Sequence, residues 1–159
     1  MIVVARILFA EPQDEFELSE ILMEYGMGFP GEIEDQVIVK ENERVVAGAK
    51  VVEYEKRRFF LEVLGVKQDS LRQGIGRLLM TEIVRNPWEC CKNLLSQFEP
   101  QESYHITTVA RGYATDFYIN MGFKAFSFLE LPEPYREQCS ECPDKEDCKP
   151  ISMKYIGGI

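Results

Sequence analysis

Val66-Lys67-Gln68-Asp69-Ser70-Leu71-Arg72-Gln73-Gly74-Ile75-Gly76-Arg77 joins an apolar run to an amphipathic one. Upstream, Phe59 to Val66 is apolar except for Glu62, which is the composition of a strand. Downstream, Gly74 to Val84 places Ile75, Leu78, Leu79 and Ile83 on one side of a helix. The stretch is therefore a strand-to-helix turn. Gly74 and Gly76 bare backbone N–H groups at the helix start, where the helix dipole adds partial positive charge. Arg72 and Arg77 flank them and suit phosphate oxygens. The same glycines would also serve a turn that only packs tightly. The pattern is not a Walker loop, because no Gly-Lys-Ser/Thr follows. A dinucleotide fingerprint fails as well, since Leu79 stands where its third glycine belongs.

Before this turn, the chain reads as a strand, a helix and an antiparallel meander. Ile2 to Phe9 is a short apolar run. Gln13 to Tyr25 carries Phe16, Ile21, Leu22 and Tyr25 at helical spacing, and Gly26, Gly28, Pro30 and Gly31 then form a loop. Gln36 to Lys40 and Arg44 to Glu53 flank the polar turn Glu41-Asn42-Glu43, and Lys56-Arg57-Arg58 leads into Phe59 to Val66. After the turn, Asn86-Pro87 resembles an N-cap with proline at the first helical position. It predicts a short helix carrying Trp88, Cys91, Leu95 and Phe98 inward, with Cys90 the more exposed thiol. Tyr104 to Ala110 reads as a strand and Tyr113 to Met121 as a helix closed by Gly122. Phe123 to Leu131 reads as a strand, 132–150 as a cysteine-rich loop, and Ile151 to Ile156 as the last strand. Strands first, then strands alternating with helices, indicate a mixed α/β or α+β sheet in one domain over residues 1–159.

Composition narrows the function. With 159 residues and 45% apolar content, one core can form without staples. Ten Phe, seven Tyr and one Trp argue against disorder. Eighteen basic against 27 acidic residues give a formal charge of −9. Such a surface repels phosphate backbones, so no nucleic acid is expected as partner. It attracts cations, or merely keeps the protein soluble. No apolar run is long enough to span a bilayer, so no membrane partner is expected. Met1 to Ala10 lacks a basic leader region, which points to a cytoplasmic protein.

Two segments carry a family resemblance. Leu71-Arg72-Gln73-Gly74-Ile75-Gly76, five residues after Val66, resembles motif A of the GNAT superfamily of N-acetyltransferases. Leu71 stands where that family usually has Gln or Arg. Ala114-Thr115-Asp116-Phe117-Tyr118-Ile119-Asn120-Met121-Gly122-Phe123 is similar to the family's Ala-x-x-Phe-Tyr-x-x-x-Gly-Phe signature at every defined position. Arg111 stands where an Asn is frequent and offers a cationic contact to coenzyme A instead. The resemblance covers residues 1 to 131 in element order, with Ile151 to Ile156 as the family's last strand. It implies a GNAT-like fold, with a central mixed, mostly antiparallel sheet flanked by helices.

The same resemblance implies acetyl transfer from acetyl-coenzyme A to a primary amine. The acceptor would be a small cationic molecule, a lysine side chain or a protein N-terminus, and the enzyme a monomer or homodimer. The backbone of Gln73, Gly74, Ile75, Gly76 and Arg77 would bind the coenzyme's phosphates. Its pantetheine would pair near Leu64 and Val66 like an added strand. Tyr118 would protonate the departing thiolate; otherwise it is a core tyrosine. Glu62, the one acid in its strand, would take the amine's proton unless it points to solvent. Glu53 and Tyr54 are further candidates. His105, the one histidine, reads as a partly buried strand residue.

Cys139-x2-Cys142-Pro143-x4-Cys148 lies in a polar segment, so these thiols are not core. The spacing suits a structural zinc ion, with His105, Cys90, Cys91 or water as fourth ligand. Free thiols, a disulfide or an iron–sulfur site fit the same spacing. A non-catalytic reading also remains: an acyl-CoA-binding or partner-docking domain that uses a zinc-stapled loop.

Overall fold

The alternating runs do pair as strands. The computed structural model describes residues 5–71, 73–140 and 149–158. The chain divides into two compact units, Met1–Phe98 and Glu99–Ile159.

In the first unit, β1 (Ala5–Phe9), β2 (Val37–Glu41), β3 (Arg44–Glu55) and β4 (Arg58–Val66) form an antiparallel meander in chain order. The β2–β3 hairpin turns on Asn42 and Glu43, both at positive φ, with Glu41 facing Arg44. Two such residues match the right-handed twist of the strands they join. Helix α1 (Glu15–Met23) buries Leu18, Ile21 and Leu22 against the sheet. It approaches closely because Gly48 and Gly65 lack side chains there. A Cβ would lie 2.4 Å from Leu18 Cδ1 at the first and 2.6 Å from Leu22 Cδ2 at the second. One core cluster combines Leu18, Ile21, Leu22 and Ile33 with Ile38, Val45 and Val63. Buried Asp14 accepts from the Glu11 N–H and pairs with Lys40 at 2.9 Å, which fixes the entry to α1. Helix α2 (Ile75–Arg85) buries Ile75, Leu79, Met80, Ile83 and Val84.

In the second unit, β7 (Ile151–Gly157) runs antiparallel to both β5 (Tyr104–Ala110) and the short β6 (Lys124–Ala125). Helix α3 (Thr115–Asn120) follows β5 through a 3-10 turn at Gly112–Ala114. Gly122, at φ +97°, ends it as the left-handed cap the sequence predicts.

Five expectations change. The helix over 87–98 is only a 3-10 turn, Pro87–Cys90, because Cys91 is extended. Trp88 and Cys91 do turn inward, but Leu95 and Phe98 are exposed. Cys90 is buried, 1% exposed, rather than the more accessible thiol. The strand over 123–131 shortens to β6 and a 3-10 turn at Phe128–Glu130, which Ser127 caps through its hydroxyl. The loop after it contains helix α4 (Tyr135–Ser140). Phe16 and Leu78, placed on inward faces by periodicity, are exposed. Among the described residues, no helix is long and apolar enough to cross a membrane.

Candidate functional site

The decisive turn folds as its glycines require. β4 ends at Val66, a 3-10 turn spans Gln68–Ser70, and Gly74 caps α2 at φ +79°. A Cβ on Gly74 would meet nothing within 4 Å, so the glycine is there for its left-handed backbone and not for space. The Leu78 N–H bonds the Gly74 carbonyl at 2.9 Å and closes the first turn. Ile75, Gly76 and Arg77, in that first turn, have no helix carbonyl for their N–H groups. The first turn of α2 holds no acidic residue, which suits an anion at its start. Gln73 and Arg77 are exposed and Gly76 half-buried. Arg72 lies outside the described residues.

Neighbouring backbone is held by the residues that follow α1. The Tyr25 hydroxyl donates to the Val66 carbonyl at 2.5 Å, and the Gln68 N–H donates to Glu24 Oε2 at 3.0 Å. Leu64, half-buried, faces Ala49 in the β3–β4 register. Sequence reasoning did not single out Tyr25 for this role. The signal was a phenol placed on an inward face, where its hydroxyl needs a partner.

Glu62 occupies a β-bulge. Lys50 faces Val63 and Val51 faces Leu61, so Glu62 is an extra residue on β4. The bulge turns its carboxylate to Lys50, whose Nζ lies 2.8 Å from Oε1. Both side chains are largely buried, 14% exposed for Lys50 and 16% for Glu62. Sequence reasoning also passed over Lys50, a cation set among apolar residues of its strand. Glu53 has a different task. It accepts from the N–H groups of Arg57 (2.8 Å), Leu95 (2.5 Å) and Ser96 (3.1 Å), and from the Ser96 hydroxyl. Desolvation raises its pKa, but these hydrogen bonds together outweigh it and hold the carboxyl below its usual value. That carboxylate fastens loops rather than standing ready for proton transfer.

In the second unit, Tyr118 is 7% exposed, on α3. Its ring meets Phe117 and Phe123 edge-on, at centroid distances of 5.2 and 5.3 Å. Burial pushes the phenol well above the usual tyrosine range, although a hydrogen bond with Thr108 opposes the shift. The phenol is therefore protonated at neutral pH. Arg111 caps the 3-10 turn before α3, with its carbonyl accepting from Ala114 N–H at 2.8 Å. His105 pairs with Ile156 across β5 and β7 and is half-buried. Cys142 and Cys148 lie outside the described residues, and Cys139 is described only as backbone of α4. Among the described residues, no group of three His, Cys, Asp or Glu side chains could hold a metal.

No protein-family model matches the chain, and no curated protein matches it in sequence. Solved structures match in three dimensions. N-acetylglutamate synthase from Neisseria gonorrhoeae, complexed with coenzyme A and N-acetyl-glutamate, aligns over 96% of this chain and 35% of its own, with TM-score 0.73 and 14% identity. The chain thus spans about a third of that enzyme's length. The ribosomal-protein-S18-alanine N-acetyltransferase from Escherichia coli aligns over 98% of this chain and 96% of its own, with TM-score 0.67 and 16% identity. Rv2747 from Mycobacterium tuberculosis, in complex with CoA and NLQ, aligns over 96% and 99%, with TM-score 0.68 and 10% identity. Near-complete coverage at such low identity is agreement in fold, reached through a mixed α/β architecture whose ladders within each unit are antiparallel. The chain has the fold of the GNAT acetyltransferases.

Proposed function

We propose that this protein transfers an acetyl group from acetyl-coenzyme A to a primary amine. The observation that carries this reading is the Gly74-capped start of α2, the next helix after β4, in a chain with the acetyltransferase fold. The first-turn N–H groups of α2, with those of Gln73 and Gly74, bind the coenzyme's phosphates, and Arg72 and Arg77 add charge. Pantetheine pairs with backbone near Leu64 and Val66, and Arg111 contributes a further cation to the coenzyme. The amine nitrogen attacks the thioester carbon; a C–N bond forms and the C–S bond breaks. The thiolate takes the phenolic proton of Tyr118, and the amine's proton passes to Glu62. The place of Tyr118 on α3, within the segment that resembles the family signature, supports the first assignment. The carboxylate in the β4 bulge supports the second.

Calorimetric titration with acetyl-coenzyme A tests the reading. Micromolar binding that Gly76→Glu abolishes supports it, because a carboxylate in the first turn of α2 opposes the phosphates. Absence of binding by the intact protein removes it. Binding with no thiol release for any amine would favour a non-catalytic acyl-CoA-binding domain. The Cys139, Cys142 and Cys148 spacing supports a structural zinc, which elemental analysis of the purified protein tests.

A further inference from the structure

Strand β1 is the free edge of the first unit's meander. Among the described residues it pairs with β2 alone. The Ala10 N–H bonds the Gln36 carbonyl at 2.9 Å, and Phe9 and Ile7 stand opposite Val37 and Val39. Bonded and non-bonded pairs alternate in an antiparallel ladder, so Leu8 bonds β2 while Ile7 and Phe9 turn their N–H and C=O groups outward. Edge strands are usually guarded by charge or proline; Ile7 and Phe9 supply neither. Their side chains lie on the sheet face opposite Leu8, which packs with the α1 core. On that face a cleft of about 440 Å³ opens between β1 and α2. Ile7, Phe9 and Val37 form its apolar side together with Leu78. Glu82, one turn further along α2, and Glu89 bring carboxylates to it. Among the described residues neither carboxylate has an ion-pair partner. Lys92 lays its ammonium 4.8 Å from the Phe9 ring centre, so the aromatic wall accepts a cation.

We infer that this edge receives an extended basic segment of a partner protein, which adds as a strand beside β1 and sends alternate side chains into the cleft. The inference does not depend on the acetyltransferase reading. The segment's backbone pairs with the outward groups of Ile7 and Phe9. Side chains on one face of a strand recur about every 7 Å. One apolar side chain therefore lies among Ile7, Phe9 and Leu78, and the next on that face carries a Lys or Arg to Glu82 and Glu89. Lys92 is exposed and swings from Phe9 as the strand enters. The overall charge of −9 draws a basic segment in from longer range. A second copy of this chain fits the edge less well. Two β1 strands paired about a two-fold axis would bring Glu82 and Glu89 of both copies to one interface, and like charges there oppose pairing.

The test follows fluorescence anisotropy of a blocked, dye-labelled peptide, Thr-Val-Thr-Lys-Thr-Val-Thr-Lys, whose Val and Lys share one strand face. Its counterparts carry Glu in place of Lys, or backbone N-methyl groups on the Val and Lys residues, or N-methyl groups on the Thr residues. The basic peptide should bind the full chain about tenfold or more tightly than the Glu version. At least one N-methylated version should lose about tenfold, because it cannot pair with the edge. The double variant Glu82→Gln, Glu89→Gln should keep its thermal unfolding midpoint and bind the basic peptide about fivefold more weakly at low salt. Amide hydrogen exchange locates the contact. In the free protein the Ile7 and Phe9 amides should exchange faster than that of Leu8, and saturating peptide should slow both. The inference is overturned if the Glu version binds as tightly, if neither N-methylated version loses affinity, or if the Ile7 and Phe9 amides exchange no more slowly with peptide bound. Sedimentation of the free protein as a dimer, with those two amides already protected, would assign the edge to a second copy and overturn it as well.

Discussion

The Tyr25 hydroxyl, beyond the end of α1, donates to the carbonyl of Val66, the last residue of β4. One residue further on, the Lys67 N–H bonds the Val46 carbonyl at 2.8 Å, and the Gln68 N–H reaches Glu24. The strand end that leads into the Gly74 turn is thus tied to α1 and to β3. Helix α1 is in turn seated by the missing side chains of Gly48 and Gly65. Tyr25→Phe removes one tie and leaves the ring. It should cost about 1 kcal/mol in denaturant unfolding and weaken acetyl-coenzyme A binding about threefold, since β4 and the turn must be held together to receive one ligand. Unchanged affinity would show that Glu24 and Lys67 place the turn without it.

Glu53 leads to a pH-dependent prediction. Its folded-state pKa is lowered, so ionised Glu53 contributes stability above its unfolded value of about 4.5. That contribution is lost as pH falls through the depressed folded value. Glu53→Gln leaves donors at Arg57, Leu95 and Ser96 poorly matched and should cost about 2 kcal/mol at pH 7. The gap between the intact protein and the variant should hold down to about pH 5 and close at lower pH. Denaturant unfolding at several pH values reads it directly. A gap that does not vary with pH would mean that the glutamate's charge is not what fastens the loops.

These two contacts also mark what the sequence could and could not convey. The strands were legible because side chains alternate with period two, and polar turns such as Glu41-Asn42-Glu43, with Asn42 suited to its positive φ, separate them. The glycine cap of α2 and the Gly122 cap of α3 were legible for the same local reason. The helix expected over 87–98 was a local reading defeated by a distant partner. Glu53, more than forty residues away in sequence, takes the N–H groups of Leu95 and Ser96, and Arg57 stacks over Trp88 at 5.1 Å. The Lys50–Glu62 pair was invisible because a bulge is a property of register between two strands, and neither strand announces it alone. Glu62 was singled out as a lone acid; the cation opposite it could be assigned only from the paired structure.

The buried cysteines lead to a chemical prediction. Burial pushes the Cys90 thiol up to about 12, and Glu82 and Glu89 oppose its ionisation further. Burial raises Cys91 as well. Thiolates are the reactive form, so both should resist alkylation at pH 7.5 in the folded protein and react on unfolding. Mass spectrometry after brief iodoacetamide treatment, with and without denaturant, reads the label on the shared peptide, and fragmentation between the two adjacent residues assigns it. Prompt modification of Cys90 in the native protein would show that the first unit opens there.

Tyr118 presents the sharpest separation of packing from chemistry. Its ring packs against Phe117 and Phe123, contacts that phenylalanine retains. Its hydroxyl bonds with Thr108 and, in the proposed reaction, supplies a proton. Tyr118→Phe should therefore fold, bind acetyl-coenzyme A with unchanged affinity, and lose about a hundredfold in thiol release. The raised pKa adds an independent check. A phenol held neutral by burial favours the folded state up to the unfolded value of about 10, and that advantage is lost as pH rises further and the unfolded chain ionises. The intact protein should lose stability above about pH 10 more steeply than Tyr118→Phe does. Steeper alkaline loss without a change in turnover would assign Tyr118 to the core alone, whereas both effects together would make one buried hydroxyl responsible for fold stability and proton transfer.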